Sequence, residues 1–141
     1  MLPATVVITL KTLMAMPPSI PQISDAEWEV MKAVWEAGPM TAGEVVDRVA
    51  AEQKWKPRTT KTLLNRLVKK GAVAMETDGR RYVYRAKVAR DAVIRRETRS
   101  FLSRVFDGAA APAIVHFLEQ GRLSPEEIRQ LRETLDREAR S

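Results

Sequence analysis

Hydrophobic residues recur at helical spacing three times before residue 71. Trp28, Met31, Val34 and Trp35 form the first set and are expected in a core. Ser24 precedes them as N-cap with Glu27 three positions on, the pattern of a capping box, and Ile23 can staple onto Trp28. Gly38-Pro39 ends this helix. The second set, Val45, Val46 and Val49, follows a second box of Thr41 and Glu44, with Met40 placed to staple onto Val45, and runs to about Glu52. A connection containing Trp55 leads to the third helix, Pro57 to Lys70, with Pro57 in its first turn and Gly71 after its end. At about 100° per residue, Thr60, Leu63, Leu64, Leu67 and Val68 gather on one side of it.

The period then changes from helical to alternating. AVAMET and RRYVYR flank Asp78-Gly79, a favoured two-residue type I′ turn. That turn predicts Met75 opposite Tyr82 and Val73 opposite Tyr84 on an apolar face, with Glu76 opposite Arg81 on the polar one. Three capped helices and a two-stranded hairpin describe a winged helix-turn-helix, mainly α with a small β-hairpin wing. From Val88 the helical period returns. One helix is expected to about Phe106, a second over about Pro112 to Gln120, and a third from the cap Ser124, with Pro125 at N1, Glu127 at N3 and Leu123 stapling onto Ile128. These last helices span about 50 residues, small for an independent core. Their apolar residues Phe101, Leu102, Val105, Ile114, Phe117, Leu118, Ile128, Leu131 and Leu135 are expected to close against a second copy; the alternative is packing on the winged helix of their own chain. The expected division is therefore an extension at 1–22, a winged helix at 23–87 and a three-helix dimerisation region at 88–141.

Charge sharpens the picture. Net charge is +6 over 141 residues, with 24 basic and 18 acidic side chains. Gln53 to Arg90 holds 12 Lys/Arg against 2 acids, a net of +10; the remainder holds 12 against 16, a net of −4. The third helix carries Arg58, Lys61, Arg66, Lys69 and Lys70 and no acid, whereas a merely solvated face usually mixes both signs. Arg58, Thr62, Asn65, Arg66 and Lys69 lie opposite its apolar side, and these are residue types that meet phosphates and base edges. A basic middle between slightly acidic segments suggests a polyanion-binding surface, and the residue types of the third helix make double-stranded DNA its expected partner.

Cysteine is absent, which excludes a disulfide framework and thiolate metal sites and fits a cytoplasmic location. One histidine, His116, cannot build a multi-histidine metal site within one chain; beside Phe117 it reads as a packed interface residue, with a pH switch as the alternative. No metal or cofactor is expected. With no Cys nucleophile, no Gly-rich phosphate loop and scattered acids, neither is catalysis. No apolar run approaches the roughly 18 residues of a membrane span, so no membrane insertion is expected. The segment 1–22 is expected to be a flexible extension; TVVITL alternates like an extra strand, and Pro17, Pro18 and Pro21 favour extended backbone.

The ordered series ISDAEWEVMKAVW, TAGEVV, TTKTLLNRLVKKG and GRRYVYRA resembles the BlaI/MecI/CopY penicillinase-repressor family. The tail SFLSRVFDG…IVHFLEQGRLSPEEIRQLRETL is similar to its dimerisation region, and the likeness spans about Ile23 to Arg137. The resemblance implies a homodimeric transcriptional repressor on pseudo-palindromic sites, often built on TACA/TGTA half-sites. In the beta-lactam branch a membrane sensor-protease leads to cutting of the dimerisation region at an Asn-Phe bond. The matching bond here is His116-Phe117, so His replaces the Asn. The copper branch senses metal through a Cys-rich motif that this chain lacks.

On this basis Thr59, Thr62 and Asn65 are the candidates for base edges, with Lys61 flanking them. Arg58 and Arg66 can reach a guanine or a phosphate. Thr41 and Lys69 are expected on phosphates, and Arg80 and Arg81 on backbone or minor groove, with a Glu76–Arg81 pair as the alternative for the latter. Two other functions remain open: a winged-helix protein adaptor, which has no reason for an acid-free basic helix, and non-specific nucleic-acid binding.

Overall fold

The computed structural model describes residues 20–141, so the strand expected in TVVITL lies outside the described residues. The elements are α1 (Asp25–Ala37), α2 (Ala42–Glu52), α3 (Pro57–Lys70), β1 (Val73–Asp78), β2 (Arg81–Ala86), α4 (Arg90–Phe106), α5 (Ala110–Gln120) and α6 (Pro125–Arg140). The fold is mainly α with one antiparallel hairpin, as the hydrophobic pattern predicts.

All three expected capping boxes form: Ser24 with Glu27, Thr41 with Glu44, Ser124 with Glu127. Each satisfies two amide donors that a helix start otherwise leaves open. Lys56, at the N-cap of α3, gives no such bond; Pro57 opens that helix instead. Gly71 closes it with φ of 84°, a left-handed conformation in which any side chain is strained. α5 begins at Ala110 rather than Pro112. Asp107 (φ 51°) and Gly108 (φ 84°) already make the break, and a proline is tolerated in the first turn of a helix, where Pro112 sits.

Two compact units divide the chain between Ile94 and Arg95. The first is built on a core of Val30, Met31, Val34, Val45, Val49, Leu63, Leu64, Leu67, Val73, Tyr84 and Val93. Val88 packs against that core and Val93 is part of it, so the start of α4 belongs to the winged helix. Trp28 and Trp35, expected in the interior, are only half-buried. They flank the core edge to face, with centroids 5.3 Å apart, and Trp35 Nε1 donates to the Val88 carbonyl at 3.0 Å. The buried stripe of α1 is Glu27, Val30, Met31 and Val34, one position round from the predicted one.

The hairpin pairs in a different register from the expected one. Asp78 faces Arg81, Thr77 faces Tyr82, Glu76 faces Val83, Met75 faces Tyr84 and Val73 faces Ala86. The turn is centred on Gly79-Arg80 and needs positive φ only at Gly79 (65°), the pattern of a type II′ turn. A type I′ turn at Asp78-Gly79 would force Asp78 into that region; the observed one spares it. Moving the turn by one residue shifts each pairing by two, so every side chain keeps its expected face. The expected Glu76–Arg81 pair does not form: Glu76 Oε1 accepts from Arg85 Nε at 2.7 Å, a diagonal neighbour, and Arg81 turns to Asp78. Met40 bridges Tyr84 through two backbone bonds of 2.7 and 3.1 Å, fixing the hairpin base to the turn before α2.

The second unit, Arg95–Ser141, contains most of α4 with α5 and α6. Its one buried hydrophobic residue, among the described residues, is Ala113. Phe101 stacks on Phe117 at 6.0 Å and lies 5.8 Å from Phe106, which in turn lies 5.7 Å from His116. Val105, Ile114, Val115, Phe117, Leu118, Ile128, Leu131 and Leu135 stay exposed, Phe117 by 57%. A unit of this size with almost no interior has its driving force on its surface.

Candidate nucleic-acid interface

α3 is held from beneath. Thr60, Leu63, Leu64 and Leu67 are buried, against α1, α2 and the hairpin base. That anchoring leaves the opposite side in solvent: Arg58, Thr59, Lys61, Thr62, Asn65, Arg66 and Lys69 are all exposed. Among the described residues, Arg58, Lys61, Arg66 and Lys69 form no ion pair. The face is therefore cationic, uncompensated and centred on an amide and a hydroxyl that can read base edges.

The fifth cation of this helix is diverted. Lys70 Nζ lies 2.5 Å from Glu27 Oε1 and 3.0 Å from the Gln22 carbonyl. Glu27, expected as a helix cap, is also a buried carboxylate, 1% exposed. Burial raises its pKa, but hydrogen bonds from Lys70 and Ser24 and the Lys70 charge outweigh that, and the group sits below its ordinary value. The sequence did hold a signal, since Glu27 stands on the i, i+3, i+4, i+7 stripe with Val30, Met31 and Val34.

Thr41 is differently placed from the rest. Its hydroxyl and its amide both donate to Glu44 Oε1, at 3.0 and 3.3 Å, so the start of α2 already carries a carboxylate. At the wing, Arg80 and Arg81 are exposed at the turn, and Arg81 Nη2 lies 3.1 Å from Asp78 Oδ2. Tyr82 is 57% exposed on the face it shares with Met75. Of the residues expected at a dimer interface, Val105, Ile114, Phe117, Leu118, Ile128, Leu131 and Leu135 are exposed and Phe101 and Leu102 half-buried; Val115 joins them. His116 and Phe117 are both exposed, inside α5. Among the described residues no group of three His, Cys, Asp or Glu is placed to hold a metal ion, and no single helix is long and apolar enough to cross a membrane.

Known proteins share this sequence plan. The penicillinase repressor family model matches residues 23–137. The penicillinase repressor of Bacillus licheniformis is 39% identical over 117 residues, 83% of this chain and 91% of that protein. The methicillin resistance regulatory protein MecI of Staphylococcus aureus (strain N315) is 30% identical over 116 residues, 82% of this chain and 94% of its own. Among solved structures, the monomeric form of Bacillus licheniformis BlaI in complex with the blaP half-operator is 41% identical and covers 52% of this chain and 89% of that one, with a TM-score of 0.47. The chain belongs to the penicillinase repressor family.

Proposed function

We propose that this protein is an operator-binding transcriptional repressor that acts as a homodimer. The winged-helix unit, up to Ile94, meets the DNA and the unit Arg95–Ser141 pairs the copies. The observation that carries the proposal is the exposed side of α3, where four cations without an ion pair among the described residues surround Thr62 and Asn65 and the helix itself carries no acid. α3 enters the major groove. Asn65, Thr62, Thr59 and Lys61 meet base edges; Arg58 and Arg66 take a guanine or a phosphate; Lys69 takes a phosphate. Arg80 and Arg81 reach the backbone or minor groove from the wing. Thr41, with both donors engaged by Glu44, drops out of the phosphate set.

Pairing follows from the same physics. One helix reads a few base pairs, each good contact giving about 1–3 kcal/mol of discrimination. Two copies on a two-fold axis double that length if their helices stand about 34–36 Å apart, or a multiple. The exposed apolar residues of α4, α5 and α6 supply the pairing surface. Cutting at His116-Phe117, the control that the family likeness implies, would require α5 to open locally, because that bond lies within the helix.

The test is competition between a duplex from the promoter upstream of the protein's own gene and an unrelated duplex at fixed salt. Preference for the promoter, with a footprint of two protected patches, supports the proposal. Equal binding of both duplexes contradicts it.

A further inference from the structure

Lys69 and Lys70 are neighbours in sequence with different surroundings. Lys69 is exposed and forms no ion pair among the described residues. Lys70 reaches back to the start of α1, where Glu27 in its first turn and the Gln22 carbonyl just before it receive the ammonium. The same Glu27 oxygen accepts the Ser24 amide at 2.9 Å. The acids of the other two boxes, Glu44 and Glu127, are exposed and bond to their own caps. Only Glu27 of the three is buried and tied to a second helix.

A lysine in a last turn has an ordinary use, since it complements the helix dipole. That use needs no buried carboxylate. A carboxylate taken out of water is costly unless a cation meets it, so the two side chains hold each other in place. The location matters as much as the pairing. Gly71 reverses the chain directly after Lys70, Ala72 donates to the Leu67 carbonyl, and the Ala72 carbonyl accepts the Lys87 amide at the base of the hairpin. The end of α3 and the root of the wing are thus fixed at one joint.

We propose that the Glu27–Lys70 pair is a positioning device that sets α3 and the wing for base reading, and that Lys70 makes no DNA contact of its own. The inference rests on the operator-binding function proposed above. Short side chains such as Thr62 and Asn65 read base edges only within a narrow placement, whereas long Lys and Arg chains follow a phosphate through small shifts. Loosening the joint therefore removes discrimination and spares general affinity.

The test uses the full chain and its Lys70→Met, Glu27→Gln, Lys70→Arg, Lys69→Ala and Glu27→Gln/Lys70→Met variants. Anisotropy is read on promoter and unrelated duplexes across a salt series, at a temperature where circular dichroism shows each variant folded. Lys70→Met and Glu27→Gln are each expected to lower the promoter-to-unrelated ratio by about tenfold with the salt slope unchanged. The double variant is expected to be no worse than either single one, and Lys70→Arg to recover part of the ratio. A slope that falls by about one in Lys70→Met, as in Lys69→Ala, would make Lys70 a phosphate contact and overturn the inference. Ratios equal to that of the unaltered chain would overturn it too, leaving the pair a matter of stability alone. If Lys70→Met does not fold, Lys70→Arg and the double variant decide by the same two readings. Equal binding of both duplexes by the unaltered chain would strike the functional proposal itself, and this inference with it.

Discussion

Arg81 is held 3.1 Å from Asp78 across the wing turn, while Arg80 beside it forms no ion pair among the described residues. The register that places Arg81 opposite Asp78 thus divides the two wing arginines. Arg80→Ala is expected to lower the slope of log K against log salt by about one unit, and Arg81→Ala by less, because Arg81 must leave a carboxylate to meet a phosphate. Parallel salt titrations of the two variants check this; an equal fall in both would show that the Asp78 pair opens freely on DNA.

On α3 the expected division is between Lys69 and Asn65. Lys69→Ala weakens binding to promoter and unrelated duplexes alike and lowers the salt slope by about one unit. Asn65→Ala leaves the slope and narrows the gap between the two duplexes by about 1–3 kcal/mol. Identical behaviour of both variants in the titration would undo this assignment.

Leu131 lies exposed in the stripe Ile128, Leu131, Leu135 of α6. Leu131→Asp places a charge where the proposed partner packs, so the variant is expected to sediment as a monomer. Promoter affinity then falls on the order of 100-fold, because the second half-site is no longer tethered to the first. Binding to a single half-site duplex is expected to stay near that of the unaltered chain. A Leu131→Asp protein that still sediments as a dimer would remove α6 from the pairing surface.

Glu27 gives a stability prediction in pH. Its folded pKa lies below the ordinary 4.5, so its contribution is present above that value and is lost as pH falls through the folded pKa. Glu27→Gln is expected to cost about 1–3 kcal/mol at neutral pH, since Lys70 loses its charge partner and a buried amide replaces the carboxylate. The gap in Tm between the two proteins should narrow as pH drops below 4.5. A gap that stays constant with pH would mean that Glu27 is not ionised in the folded protein.

What could be seen in advance was set by range. Capping boxes span four residues, and all three were legible from Ser24, Thr41 and Ser124 with their glutamates. The acid-free side of α3 was legible because one helix carries it whole. The hairpin was legible as a hairpin, and its faces were right, but its register was not: turns at Asp78-Gly79 and at Gly79-Arg80 satisfy the same alternation. The Glu27–Lys70 pair joins residues 43 apart, and the Met40–Tyr84 bridge depends on how α1, α2 and the hairpin pack. Trp28 and Trp35 drew attention by size, yet the narrower stripe through Val30 is the buried one, because a large indole fits well at the rim of a small core.

The most direct measurement is sedimentation of the protein with a labelled promoter duplex, combined with footprinting of the same complex. The account predicts two protomers per duplex and two protected patches on one face, separated by about one helical turn or a multiple of it. One protomer per duplex, or protection without a repeat, would contradict it.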